Sequence, residues 1–169
     1  MIDLSACVVG ELGLSKSIAA RGHDLVPRFL LMRGQERLTV FAQTADDPTL
    51  PYDLVHDLMV YLSIEQFVFS AETIEPSAIV SVGVGADEQC GLFARIEQQP
   101  VRVSKPEQLP LDHIDPGIKR LLPYPDERLD HPSLDRVRQI FEVHGAVSFD
   151  TPIVIDATKG VPSVSFAAQ

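Results

Sequence analysis

Basic side chains are scarce in this chain. Fourteen Lys and Arg stand against 24 Asp and Glu over 169 residues, a formal net charge of -10. Phosphate backbones and anionic membrane surfaces are repelled by that balance, so neither nucleic acid nor a membrane is expected as a partner. Cysteine is nearly as scarce. Cys7 and Cys90 both sit among apolar neighbours and are too few for a disulfide framework or a four-ligand zinc site; they read as small core residues. No apolar run approaches the roughly 20 residues of a spanning helix, and no basic-headed apolar leader opens the chain, so a cytoplasmic location is expected. No internal repeat or low-complexity tract is visible.

What is present is enough apolar material, 45% of residues, to fill one ordinary core. One domain spanning 1–169 is expected. From Ile2 to Arg21 the residues Leu4, Val8, Leu12 and Ala19 recur near one helical face, and Gly22 stands where a C-terminal cap belongs. Gly10 and Gly13 each cost about 1 kcal/mol inside a helix, which points to close packing there against another element. Leu25–Met32 and Leu38–Gln43 read as a hairpin, with Pro27 at an edge or a strand start. A Pro/Asp-rich loop leads to Asp53, a candidate cap for the helix carrying Leu54, Val55, Leu58, Met59 and Leu62. Gln66–Glu72, Ala78–Val84 and Leu92–Glu97 follow as a three-stranded meander, which Val101–Ser104 can extend.

Seven of the 13 prolines fall between Pro100 and Pro132, a density that regular structure does not absorb. Because Ile114, Ile118, Leu121, Leu122 and Tyr124 lie in it, 105–131 reads as a loop packed on the domain or as short helical turns. A helix is expected from Pro132 to His144, capped by Asp130 or Ser133 and ended by Gly145. Strands at Ala146–Phe149 and Pro152–Asp156 precede a tail, 158–169, expected to fray. The expected class is α+β: one mixed, mostly antiparallel sheet flanked by about three helices. The order of elements resembles profilin-like and roadblock-like modules, whose subunits often pair through sheet edges or helices.

Candidate chemistry is sparse. Gly10-Glu11-Leu12-Gly13-Leu14-Ser15-Lys16-Ser17, after an apolar run, resembles the phosphate-binding loop of small kinases. That resemblance would put Lys16 on the terminal phosphates and Ser17 on magnesium, although Ser15 stands where the family has glycine. Gly83-Val84-Gly85 has no third glycine or following helix and reads as a tight strand end. His113 and Asp115, with Asp112 beside them, can point the same way as divalent-metal or ligand contacts; His56-Asp57 is a weaker pair of the same kind. His131-Pro132-Ser133 is explained by helix capping. Glu72 at a strand end suits a general base or a ligand contact, and Arg28 can pair with it across the sheet or bind an acidic ligand. No Ser-His-Asp or Cys-His constellation assembles from local signatures.

The reading is a non-enzymatic accessory or ligand-binding protein acting as a homo-oligomer. Arg28, Glu72, His113 and Asp115 are its candidate contacts; no cofactor or metal is implied and the ligand is left open. The alternative is a small enzyme, either a phosphate-binding protein using Lys16 and Ser17 or a metal-dependent hydrolase centred on His113 and Asp115.

Overall fold

The computed structural model describes residues 2–44, 52–73, 77–97, 102–123, 135, 137–139, 149–157 and 163–166. It is an α+β fold built on one mixed sheet. Helix α1 (Leu4–Ala20) starts at Asp3, whose carboxylate accepts from the Ala6 N–H, and ends in a Schellman motif. Gly22 takes a φ of 76° there, while His23 and Gly22 donate to the Ile18 and Ala19 carbonyls. The same motif closes α2 (Tyr52–Tyr61), but Ser63, not glycine, holds the left-handed position at φ 54°. Asp53 stands inside the first turn of α2, where a carboxylate favours the positive end of the helix dipole.

Strands β1 (Arg28–Arg33) and β2 (Glu36–Thr44) form the expected hairpin across Gly34-Gln35. β3 (Gln66–Thr73), β4 (Ala78–Gly85) and β5 (Gln89–Glu97) form the expected meander. β3 also pairs antiparallel with β1, which joins the hairpin and the meander. On the outer side of β5 lie two short strands, β6 (Arg102–Val103) and β7 (Glu107–Gln108). At the other end, β8 (Ile153–Ala157) pairs parallel with β2, and β9 (Ser163–Phe166) pairs antiparallel with β8. The order is β6-β5-β4-β3-β1-β2-β8-β9, with β7 against β5.

Alternation along the strands gives the sheet two apolar faces. One carries Phe29, Leu31, Val40, Phe67, Val82 and Ile153 and packs with Val55, Leu58 and Met59 of α2 and with Ile114, Ile118 and Leu121. The other carries Leu30, Met32, Val68, Ile79 and Ala94 beneath Leu4, Val8 and Leu12 of α1. Close approach of α1 is set by a glycine of the sheet. A Cβ on Gly83 would lie 2.7 Å from Val8 Cγ2 and 2.9 Å from Leu4 Cγ, whereas a Cβ on Gly10 or Gly13 would meet nothing within 4 Å. The packing role expected of Gly10 and Gly13 is therefore corrected: both face outward, and Gly83 makes the contact.

Residues 163–166 of the tail, expected to fray, are a strand whose ladder to β8 turns Val164 and Phe166 toward the first core. Within the proline-rich segment, β7 is followed by a 3-10 turn (Leu111–His113) and by the one-turn helix α3 (Pro116–Lys119), which Asp115 caps through Gly117. The expected strand at Ala146–Phe149 and most of the expected Pro132–His144 helix lie outside the described residues. Asp135 and 137–139 are helical, and Val137 is buried in the first core.

Candidate functional site

The segment from β7 to α3 crosses the outer part of the sheet without closing onto it. Its seat is Leu109, whose N–H donates to the Gly91 carbonyl at 2.9 Å and whose side chain lies 3.1 Å from where a Cβ on Gly91 would be. Pro110 and the 3-10 turn then lead away to Ile114 and Ile118, both buried against the first core. Between this strap and the sheet remains a groove of about 600 Å³. Its floor is Phe69, Ala71, Val80, Val82 and Phe93, all on one face of β3, β4 and β5, and its far wall is Leu109, Ile114 and Ile118.

Polar groups at the groove are few: Thr73, Gln108, His113 and Asp115. The Thr73 hydroxyl donates to the Ala78 carbonyl at 3.3 Å. Asp115 is exposed and uses Oδ1 to accept from the Gly117 N–H at 2.8 Å. His113 is exposed at the end of the 3-10 turn. Phe69, Val80 and Phe93 remain partly open to solvent, whereas Phe29, Leu31, Phe67 and Val84 on this face are sealed. A mostly apolar concavity of this size with a few convergent polar groups is the usual form of a small-molecule site.

Two of the four candidate contacts, His113 and Asp115, thus meet at one groove; the other two lie elsewhere. Glu72 is exposed, and its neighbours Ala71 and Thr73 face the groove, so it points to the opposite side of the sheet. Arg28 does not pair with Glu72. It is 5% exposed beneath α1, where Nε donates to Glu11 Oε2 at 2.6 Å and Nη2 donates to the Glu11 carbonyl and to Ser15 Oγ at 3.1 and 2.9 Å. A guanidinium buried so completely needs that set of acceptors and is bound up in holding α1 to the sheet. Ser70 and Ser81 hydrogen-bond to each other at 2.7 Å in the same buried layer, Ser70 standing opposite Arg28 in register.

The phosphate-loop expectation is overturned by the local structure. Gly10 to Ser17 is the interior of α1, so its amides are spent on helical hydrogen bonds and cannot turn together around a phosphate. Lys16 stands on the flank of the helix, and Ser17 Oγ donates back to the Gly13 carbonyl at 3.2 Å. As for metal chemistry, no group of three or more His, Cys, Asp or Glu side chains among the described residues is placed to hold an ion. His56 Nδ1 lies 2.7 Å from the Leu121 carbonyl, tying α2 to the residue after α3, and Asp57 is buried.

A second cavity, of about 570 Å³, lies on the other side of the strap, between Val8 and Val9 of α1 and Cys90 and Leu92 of β5. Burial pushes the Cys90 thiol up from its ordinary range, partly offset by the hydroxyl of Ser5, which donates to its sulfur at 3.9 Å. Burial raises Cys7 in the same way. Both are free thiols.

The residues that reading of the sequence missed are the groove's walls. Phe69 and Phe93 look in sequence like any inward strand residue, and only the gap under the strap distinguishes them. The available signal was Pro110, which prevents the strap from continuing as a strand along β5. No protein-family model, curated protein or solved structure matches this chain. The likeness to profilin-like and roadblock-like modules therefore rests on element order alone. Among the described residues no helix is long and apolar enough to cross a membrane.

Proposed function

We propose that this chain is a non-enzymatic ligand-binding protein that works as one domain in a homo-oligomer and holds a small, largely apolar molecule in the groove under the strap. The observation that carries this reading is the groove itself: about 600 Å³ between partly exposed Phe69, Val80 and Phe93 and the strap that carries His113 and Asp115. Water against those walls is displaced favourably by apolar surface, at about 25 cal/mol per Å² buried. The polar groups at the groove are few enough to orient a ligand without making the walls wet.

Self-association is supported by the outer face of α1. Ala6, Val9, Gly10, Gly13, Ser17 and Ala20 are all exposed, and none of them is charged. Val9 is 58% exposed and Leu14, on the flank, 50%. On a chain of net charge -10, an uncharged helix face is where two copies repel each other least. The acidic balance argues against nucleic-acid and membrane partners, and the free thiols Cys7 and Cys90 suit a reducing, cytoplasmic setting.

Nile red, a neutral dye that brightens in apolar surroundings, tests the groove. Its emission should rise with the wild-type protein, and Ala71→Trp, which fills the floor from β3, should abolish the rise without unfolding the chain. A dye signal that is absent, or unchanged by Ala71→Trp, would remove the groove as a binding site. Size-exclusion chromatography with light scattering tests assembly. An oligomer that Val9→Glu splits is expected, and a monomeric wild type at micromolar concentration rules the assembly out.

A further inference from the structure

The groove is apolar along its length and has one formal charge. Among its described lining residues, Asp115 is the sole carboxylate, and no Lys or Arg joins it. One Asp115 oxygen, Oδ1, is committed to the Gly117 N–H at the start of α3, and a carboxylate has acceptor capacity beyond one such bond. His113, two residues earlier on the same rim, adds a ring nitrogen. Asp112, next to His113, is exposed and adds negative charge to this side of the strap.

One described cation stands beside the groove. Arg95, on the same face of β5 as Phe93, holds its guanidinium 6.0 Å from the Phe93 centroid, and its charge is balanced by Glu107, whose Oε2 lies 3.6 Å from Arg95 Nε. Lys119, the last residue of α3, is outside the lining. An anionic head group entering here would meet Asp115 and Asp112, and the nearest described cation, Arg95, is already paired with Glu107. A cationic head would gain a charge-assisted hydrogen bond to Asp115 at the edge of an apolar wall, which shields one side of that exposed carboxylate from water.

We infer that the groove's ligand is a hydrophobic amine: an apolar body against Phe69, Val80 and Phe93 with a positively charged nitrogen at Asp115. This rests on the groove being a ligand site at all. It disfavours fatty-acid-like carboxylates, which the apolar walls alone would accept. It also fits the chain as a whole, because a net charge of -10 draws cations and repels anions over the whole surface.

The test compares three probes with one apolar tail and different heads: decylamine, decanol and decanoate, each titrated below its aggregation limit against bound Nile red. Decylamine should displace the dye at a concentration roughly tenfold below decanol, and decanoate should be weaker than both by a similar or larger factor. Asp115→Asn, which keeps an oxygen to cap Gly117, should bring decylamine down to the level of decanol and leave decanol unchanged. Equal displacement by all three heads, or an amine advantage that survives Asp115→Asn, overturns the amine assignment while the groove stands as a binding site. If none of the three displaces the dye, the ligand-binding reading falls together with the assignment.

Discussion

The two faces of the sheet are covered in different ways. On one, α1 lies down along β3, β4 and β5, and its backbone can come close because Gly83 has no side chain. Its polar anchor is internal: Arg28, with a side chain 6% exposed, reaches Glu11, with one 16% exposed. On the other face α2 packs over the centre, but among the described residues the outer strands are crossed only by a strap seated at Leu109 on Gly91. A regular helix with a matching groove in the sheet brings side chains into continuous contact. A proline-bearing strap touches at points and leaves space between them. The difference teaches that this fold packs α1 most tightly and leaves apolar surface open under the strap.

Breaking the anchor should have the largest effect. Glu11→Ala leaves the buried Arg28 guanidinium without its carboxylate, and we expect a loss on the order of 3–5 kcal/mol in urea unfolding. Replacing both residues by Met should recover much of that loss, since the penalty arises from the stranded charge. A loss below about 1 kcal/mol for Glu11→Ala would mean that the ion pair does not seat α1.

The glycines sharpen the same comparison with a smaller effect of opposite signs. Gly83→Ala forces a methyl group into Val8 and Leu4 and should cost about 1–3 kcal/mol. Gly10→Ala, in open space on the outer face of the same helix, should raise protomer stability by up to about 1 kcal/mol. If both changes destabilise the protomer equally, the assignment of Gly83 as the point of close approach is wrong.

The smallest effect is expected at the helix ends. Ser63 ends α2 in a conformation that Gly22 supplies at the end of α1. Ser63→Gly should therefore stabilise by up to about 1 kcal/mol, partly offset by the greater freedom of glycine in the unfolded chain. Thermal unfolding of the single variant measures it, and a lower melting temperature contradicts the assignment.

Much of the architecture was legible because it is written locally. The stripe Leu54, Val55, Leu58, Met59 and Leu62 specifies α2, Gly22 specifies the end of α1, and runs of β-forming residues broken by turn residues specify the meander. Short pairings were not legible. Glu107-Gln108 has no strand pattern of its own, and the alternation in Ser163–Phe166 is too short to decide by itself; each pairs with an edge that β5 or β8 offers. The site was legible in half: His113 and Asp115 stand out as chemistry-bearing residues of a loop, whereas Arg28 and Glu72 stood out equally and belong to other surroundings. Sequence spacing places polar groups along the chain, but which of them face a common space depends on how strands stack and which side each residue takes.

The sequence by itself determined the types and order of the longer described elements, the mixed α and β character and the acidic charge, because periodicity, capping residues and composition act within a few residues of one another. Only the tertiary structure decided that Gly83 and not Gly10 admits α1, that Arg28 answers to Glu11, that β8 returns parallel to β2, and that Phe69, Phe93 and Asp115 share one groove. Those outcomes depend on contacts between residues far apart in the chain, where a shift of one position in register would send each side chain to the opposite face.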